Sequence, residues 1–78
     1  MHQSLKVSAE QFAALSARQQ QVANLVFKGL SNRAIAAKLD ITEGTVKSHL
    51  HSIYDKLGIQ SRISLMIVLA TLMSEIGI

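Results

Sequence analysis

Cysteine and proline are absent from this sequence, and glycine occurs only four times. Without cysteine there is no disulfide framework and no thiolate metal site, a composition that fits a reducing compartment. Without proline, and with so little glycine, the chain lacks the turn material on which a small sheet-rich domain depends. Aromatic residues are limited to two Phe and one Tyr, too few to form the paired platforms that stack single-stranded bases, which argues against RNA binding. Long apolar runs are missing as well. The longest, Ile63 to Met73, is broken by Ser64 and Thr71 and falls short of the roughly 20 residues a membrane span needs. The N-terminal stretch MHQSLKVSAEQ has no apolar core of the signal-peptide kind. A cytoplasmic domain with no membrane partner is expected.

The 78 residues suffice for one domain and one core. A domain of this size buries a modest share of its surface and is only marginally stable alone. Eight Lys and Arg against five Asp and Glu leave a formal charge of +3. A basic balance suits nucleic acid, because cations release the counterions condensed on phosphates. Net charge alone is a weak signal, and the placement of the cations has to decide.

The apolar residues recur at three- and four-residue spacing, with no run of strand-like alternation, so the chain is expected to be all-α. Ser16 followed by Gln19 has the form of a capping box and starts a helix with the stripe Val22, Leu25 and Val26. Lys28 suits the end of its dipole, and Gly29 offers a left-handed cap. Ahead of it, Ser8 to Ala14 can form a short extra turn, with Phe12 and Leu15 packing on the domain. Ser31 caps a short helix whose inner face is Ile35, Ala36 and Leu39. Asp40 and Ile41 make a tight link to Thr42, which caps a longer helix to about Leu57, with Val46, Leu50, Ile53 and Leu57 facing inward and Gly58 closing it. Ser61 caps a last helix from Arg62 to about Ser74. The result is a four-helix bundle-like domain, residues 15–78, behind an N-terminal extension, residues 1–14. The short helix, tight turn and longer helix with a polar outer face form a helix-turn-helix pattern.

The inward stripe of the third helix directs Glu43, Gly44, Lys47, Ser48, His51, Ser52 and Asp55 outward. An α-helix fits the major groove of DNA, and its first turns reach the base edges. Lys47 can donate to guanine, Ser48 can pair with several bases and His51 can donate to an acceptor edge, so these three are the expected base contacts. Any one of them on an arbitrary helix would ordinarily be solvated surface; their place on the second helix of the pair distinguishes them. Phosphate contacts are expected from Asn32 and Arg33, at a helix start where free N–H groups and the dipole favour an anion, and from Lys38, Thr45, Tyr54, Lys56 and Arg62. Arg18 is either a further surface cation or a structural one paired inside the domain.

These residues also resemble a known family. Leu15-Ser16-Ala17-Arg18 and Gly29-Leu30-Ser31-Asn32-Arg33-Ala34-Ile35-Ala36 are similar to the opening of the LuxR-type (GerE-like) DNA-binding domain. Ile41-Thr42-Glu43-Gly44-Thr45-Val46-Lys47-Ser48-His49 resembles its turn and recognition helix, and Ile53-Tyr54-Asp55-Lys56-Leu57-Gly58-Ile59 with Ser61-Arg62 resembles its close. The likeness spans about Leu15 to Met73. It implies a domain that binds DNA as a dimer and regulates transcription, with Lys47, Ser48 and His51 toward the bases and the last helix making dimer contacts. RNA polymerase or a larger regulator is the further partner such a domain would have. Two departures stand out. Gln19 and Gln21 occupy positions where the family usually carries acids, so any ion pair made by the second acid is lost and a cation such as Arg18 or Arg62 is freed, or the domain is less stable. No receiver or ligand-sensing domain precedes the motif, so the chain is either excised from a larger regulator or a single-domain regulator, and its native-looking start favours the second.

The last helix is apolar nearly all round, through Ile63, Leu65, Met66, Ile67, Val68, Leu69, Leu72 and Met73. One small domain covers only one side of such a helix, and the leftover side marks an interface. A two-fold homodimer through Leu65, Met66, Leu69, Leu72 and Met73 is expected, with recognition helices about one DNA turn (~34 Å) apart on a pseudo-palindromic double-stranded operator. The competing arrangement covers that side with the N-terminal segment through Phe12. The methionines read as packing fillers. Enzymatic activity is not expected: there is no metal spacing, phosphate loop or carboxylate pair, and His49 and His51 point to different sides of a helix. No catalytic residue, metal or cofactor is assigned. The stronger rival is an adaptor or anti-activator that docks a homologous regulator through the apolar last helix; coverage of Lys47, Ser48 and His51 would favour it, and their exposure favours DNA reading.

Overall fold

A computed structural model describes residues 7–75; the remainder of the expected extension at 1–6 and of the expected domain at 76–78 lies outside the described residues. The described chain forms five helices: α1 (Ala9–Ala13), α2 (Ala17–Phe27), α3 (Asn32–Leu39), α4 (Glu43–Leu57) and α5 (Arg62–Glu75). Four of them are the helices expected from periodicity. The fifth is the extra turn near the N-terminus, which is a short helix capped by Ser8.

Local hydrogen bonding explains where each helix begins. Ser16 Oγ accepts from the Gln19 N–H at 3.1 Å, and Gln19 Oε1 accepts from the Ser16 N–H at 3.0 Å, so the neutral capping box closes in both directions. Ser8 and Gln11 repeat it at 3.1 and 2.9 Å. Ser31 Oγ accepts from the Ala34 N–H, Thr42 Oγ1 from that of Thr45 and Ser61 Oγ from that of Ser64, at 3.0–3.1 Å.

The helix ends share a device that periodicity does not reveal. Gly29, Asp40 and Gly58 all have positive φ, at 91°, 57° and 68°. The apolar residue after each turns its N–H back to a carbonyl five residues earlier: Leu30 to Leu25, Ile41 to Ala36 and Ile59 to Tyr54, at 2.9–3.1 Å. This is the left-handed C-terminal motif in which an apolar residue follows the cap and packs back on the helix. Leu30, Ile41 and Ile59 all join the core or its edge. A hydroxyl cap for the next helix follows at once after Leu30 and Ile41, and one residue later after Ile59. The joins are short because one segment ends a helix, anchors the turn and starts the next.

α4 packs on α2 and α3, and α5 packs on α2. The core draws on all four long helices, with Val22, Val26, Ile35, Val46, Ile53, Leu65 and Val68 fully buried. The expected inner stripe of α4 is the observed one. Leu39 is only half-buried, at the rim of the α3 face. Val7 is buried and Phe12 packs against the core, so the described part of the N-terminal segment lies on the domain.

The structure corrects the expected use of α5. Leu65, Leu69 and Leu72 do not face outward; they are 0%, 5% and 8% exposed within a single protomer. They form the i, i+4, i+7 stripe that the core consumes, together with Val68. Among the described residues the exposed large apolar side chains are Ile63, Ile67 and Met73. Ile63, Ile67 and Ala70 lie on the side opposite that stripe. Phe12 and Met73 line one apolar groove together with Phe27, Leu69 and Leu72, while the side of α5 carrying Ile63 and Ile67 stays exposed and is not covered through Phe12. Among the described residues no single helix is long and apolar enough to cross a membrane.

Candidate nucleic-acid interface

The orientation of α4 follows from its four buried side chains. Val46, Leu50, Ile53 and Leu57 bind one side of the helix to α2 and α3, which leaves the opposite side facing solvent. Gly44, Lys47, Ser48, His51, Ser52 and Asp55 are all exposed there, as the spacing predicts. The side chains of Lys47, Ser48 and His51 make no hydrogen bond within the described residues, so their donors and acceptors are uncommitted. Thr42 sets the start of this face, and its Oγ1 also lies 2.9 Å from Thr45 Oγ1.

A shallow groove of about 300 Å³ runs beside α4, lined by Asn32, Lys47, Leu50, His51, Tyr54 and Arg62. It brings two expected base contacts together with three expected phosphate contacts. Arg33, exposed, stands next to Asn32 in the first turn of α3. Leu50 forms part of the groove wall and escaped sequence reasoning, because its burial marked it as core alone.

Arg62 is engaged within the molecule. Its Nη1 donates to Asn32 Oδ1 at 2.7 Å, and its Nη2 donates to the Leu30 carbonyl. The first residue of α5 thereby clamps the α2–α3 turn and the start of α3. Both partners are neutral, and the guanidinium charge remains at the groove. Tyr54, half-buried beside it, has its phenol pushed above the ordinary value of 10.0 by burial, an effect partly offset by the Arg62 charge. Tyr54 therefore carries its proton at neutral pH and offers an O–H donor.

The other expected phosphate contacts lie apart from this groove. Lys56 Nζ donates to Gln19 Oε1 at 3.1 Å, bracing the end of α4 against the start of α2. Among the described residues Gln19 is the only polar one with a buried side chain, and its Oε1 serves both the capping box and this brace. Lys38 lines a separate groove with Gln21, Asn24, Leu25 and Leu39, on the α2 side of α3. Thr45 sits at the start of α4, tied to Thr42. Arg18 is exposed rather than enclosed in the domain.

Comparison with known proteins bears on this geometry. The family model described as "Bacterial regulatory proteins, luxR family" matches residues 13–69. An Aeromonas salmonicida protein described as an HTH-type transcriptional regulator in the exeN 3′ region is 46% identical over 68 residues, covering 80% of this chain and 35% of its own length. The response regulator protein TodT of Pseudomonas putida is 44% identical over 52 residues, covering 67% of this chain and 23% of TodT. Among solved structures, the response regulator StyR superposes with a TM-score of 0.74 at 40% identity, covering 80% of this chain and 31% of StyR. The chain thus spans about a third or less of the length of these relatives.

Proposed function

The chain belongs to the luxR family of bacterial regulatory proteins, and on that premise we propose that its helix-turn-helix reads an operator through the major groove, as a homodimer. The family's helix-turn-helix domains bind DNA and its members regulate transcription. The observation that carries the finer assignment is the outer face of α4: Lys47, Ser48 and His51 are exposed, have no partners within the described residues and adjoin a groove that also holds Asn32, Tyr54 and Arg62. Lys47 and His51 supply donors and Ser48 either a donor or an acceptor, the repertoire that base edges in the major groove discriminate. Arg33 and the first N–H groups of α3 bind phosphate and fix the register, with Asn32, Tyr54 and the Arg62 charge alongside. This uncovered face favours a DNA reader over an adaptor. The activity lies in binding and not in catalysis.

The second protomer packs on the side of α5 that the core leaves free, through Ile63, Ile67 and Ala70, with half-buried Met66 at the flank. A two-fold axis through that side sets the two recognition helices about 34 Å apart, so the operator is a pseudo-palindrome.

Selection from a random duplex library at near-physiological salt tests the assignment, with Lys47→Ala and Arg33→Ala alongside the parent. A two-fold symmetric site is expected. Lys47→Ala should relax preference at one base position by about 1–3 kcal/mol, while Arg33→Ala weakens all sites alike and lowers the salt slope by about one. Absence of any enriched sequence, with binding that vanishes as salt rises, would leave only generic charge attraction and favour the adaptor.

A further inference from the structure

The three glycines among the described residues divide into two kinds. Gly29 and Gly58 sit at helix ends with positive φ, where a side chain would be strained. Gly44 shares none of this: it lies in the first turn of α4, its φ is ordinary, and a Cβ built on it would meet only Thr42 Oγ1, at a comfortable 3.8 Å. Nothing among the described residues needs a glycine there, and within a helix glycine only loosens the backbone.

Its position on the helix supplies a reason. At 3.6 residues per turn, Gly44 and Ser48 project within about 40° of each other, and their direction lies nearly opposite the buried group Val46, Leu50, Ile53 and Leu57. They therefore stand at the crest of the exposed face, the part that goes deepest into a groove. Lys47 lies to one side and has a long, flexible reach. Ser48 carries its hydroxyl one atom beyond Cβ and can touch a base edge only if the helix backbone comes close. A major groove about 12 Å wide receives a helix whose side chains give it a diameter of about 10–12 Å, so one projecting group on the crest is enough to hold the helix off.

We propose that Gly44 is the point of closest approach between α4 and DNA, and that its missing side chain positions Ser48 against a base edge. The inference rests on the DNA-reading function proposed above and adds a positioning residue to it. Gly44 makes no hydrogen bond of its own; it acts by letting the helix sink until Ser48 reaches.

The test compares the parent with Gly44→Ala, Gly44→Gln and Ser48→Ala on the duplex the parent selects, on single-base variants of that duplex and in thermal unfolding. Gly44→Ala should raise the Tm of the free domain by about 2–6 °C, since alanine favours the helix and finds open space. Both Gly44 variants should nevertheless bind the selected duplex about five- to a hundredfold more weakly, the worth of one base contact, with Gln the worse. Both should lose discrimination at the base pair that Ser48→Ala also relaxes, while discrimination by the longer Lys47 persists. A purely structural role for Gly44 cannot produce a more stable domain with weaker, position-specific DNA reading. If the parent selects a site and Gly44→Ala and Gly44→Gln match its affinity and base preferences, the inference is overturned and the DNA-reading function stands. If the parent selects no site, that function falls and takes the inference with it.

Discussion

Replacing Arg62 by Gln removes the clamp between α5 and the start of α3, and its cost can be worked from the two bonds it breaks. A hydrogen bond to a charged group contributes about 1.5–3 kcal/mol net when fully buried. Arg62 is half-buried and Asn32 can turn to water, so the two together are worth about 2 kcal/mol rather than the full sum. A domain of 78 residues has a total stability of about 4–12 kcal/mol. The loss should therefore lower Tm by about 8–16 °C in a thermal melt followed by far-ultraviolet circular dichroism, with a matching shift of the urea midpoint. A second, spectroscopic signature comes with it. Tyr54 is the sole tyrosine, and the Arg62 charge offsets part of the upward shift that burial imposes on its phenol. Without Arg62, phenolate absorbance should appear at higher pH than in the parent. Arg62→Lys should restore the tyrosine titration, because it keeps the charge, but recover only part of the stability, because an ammonium lacks the fork that reaches both acceptors. A Tm within about 2 °C of the parent, together with an unmoved tyrosine titration in Arg62→Gln, would refute the clamp.

Three further outcomes follow from the same structure. Tyr54 holds its proton in the fold at pH values where the unfolded chain gives its own up, so its contribution is fully present below about pH 10 and is lost as pH rises through the folded-state value; urea melts of Tyr54→Phe should lack that alkaline loss. Asp40 ends α3 at φ 57°, a conformation disfavoured for a residue with a side chain, so Asp40→Gly should stabilise the domain by about 0.5–1 kcal/mol in urea unfolding; a destabilisation would mean the Asp40 side chain has an unrecognised role. Ile67→Glu, on the free side of α5, should leave the melt nearly unchanged while shifting sedimentation toward monomer and weakening binding to a two-half-site operator, whereas Leu69→Glu places a charge in the core and should unfold the domain. Equal melts for those two variants would contradict the assignment of the two sides.

Features set by neighbours within a few residues were legible in the amino-acid order. Ser16, Ser31, Thr42 and Ser61 begin helices because a hydroxyl needs only an N–H three residues on, and the run of types around each announces it. The exposed face of α4 was legible for a related reason: its apolar residues fall on one side only, so the helical period fixes both faces at once. The same period failed on α5. A helix apolar on nearly every side carries no internal record of which side the core takes, and packing against α2 assigned Leu65, Leu69 and Leu72 to the interior and Ile63 and Ile67 to solvent.

Long-range polar contacts were equally invisible. Arg62 meets Asn32 across 30 positions and Lys56 meets Gln19 across 37, and no local preference anticipates either pair. Both cations looked like free surface charge, yet the fold uses them as braces. The chain by itself thus determined the helices, their caps and the exposed face of α4, because those depend on short-range hydrogen bonds and on periodicity. Only tertiary packing decided which cations remain free and which side of α5 is left uncovered, because both depend on what the other helices bring alongside.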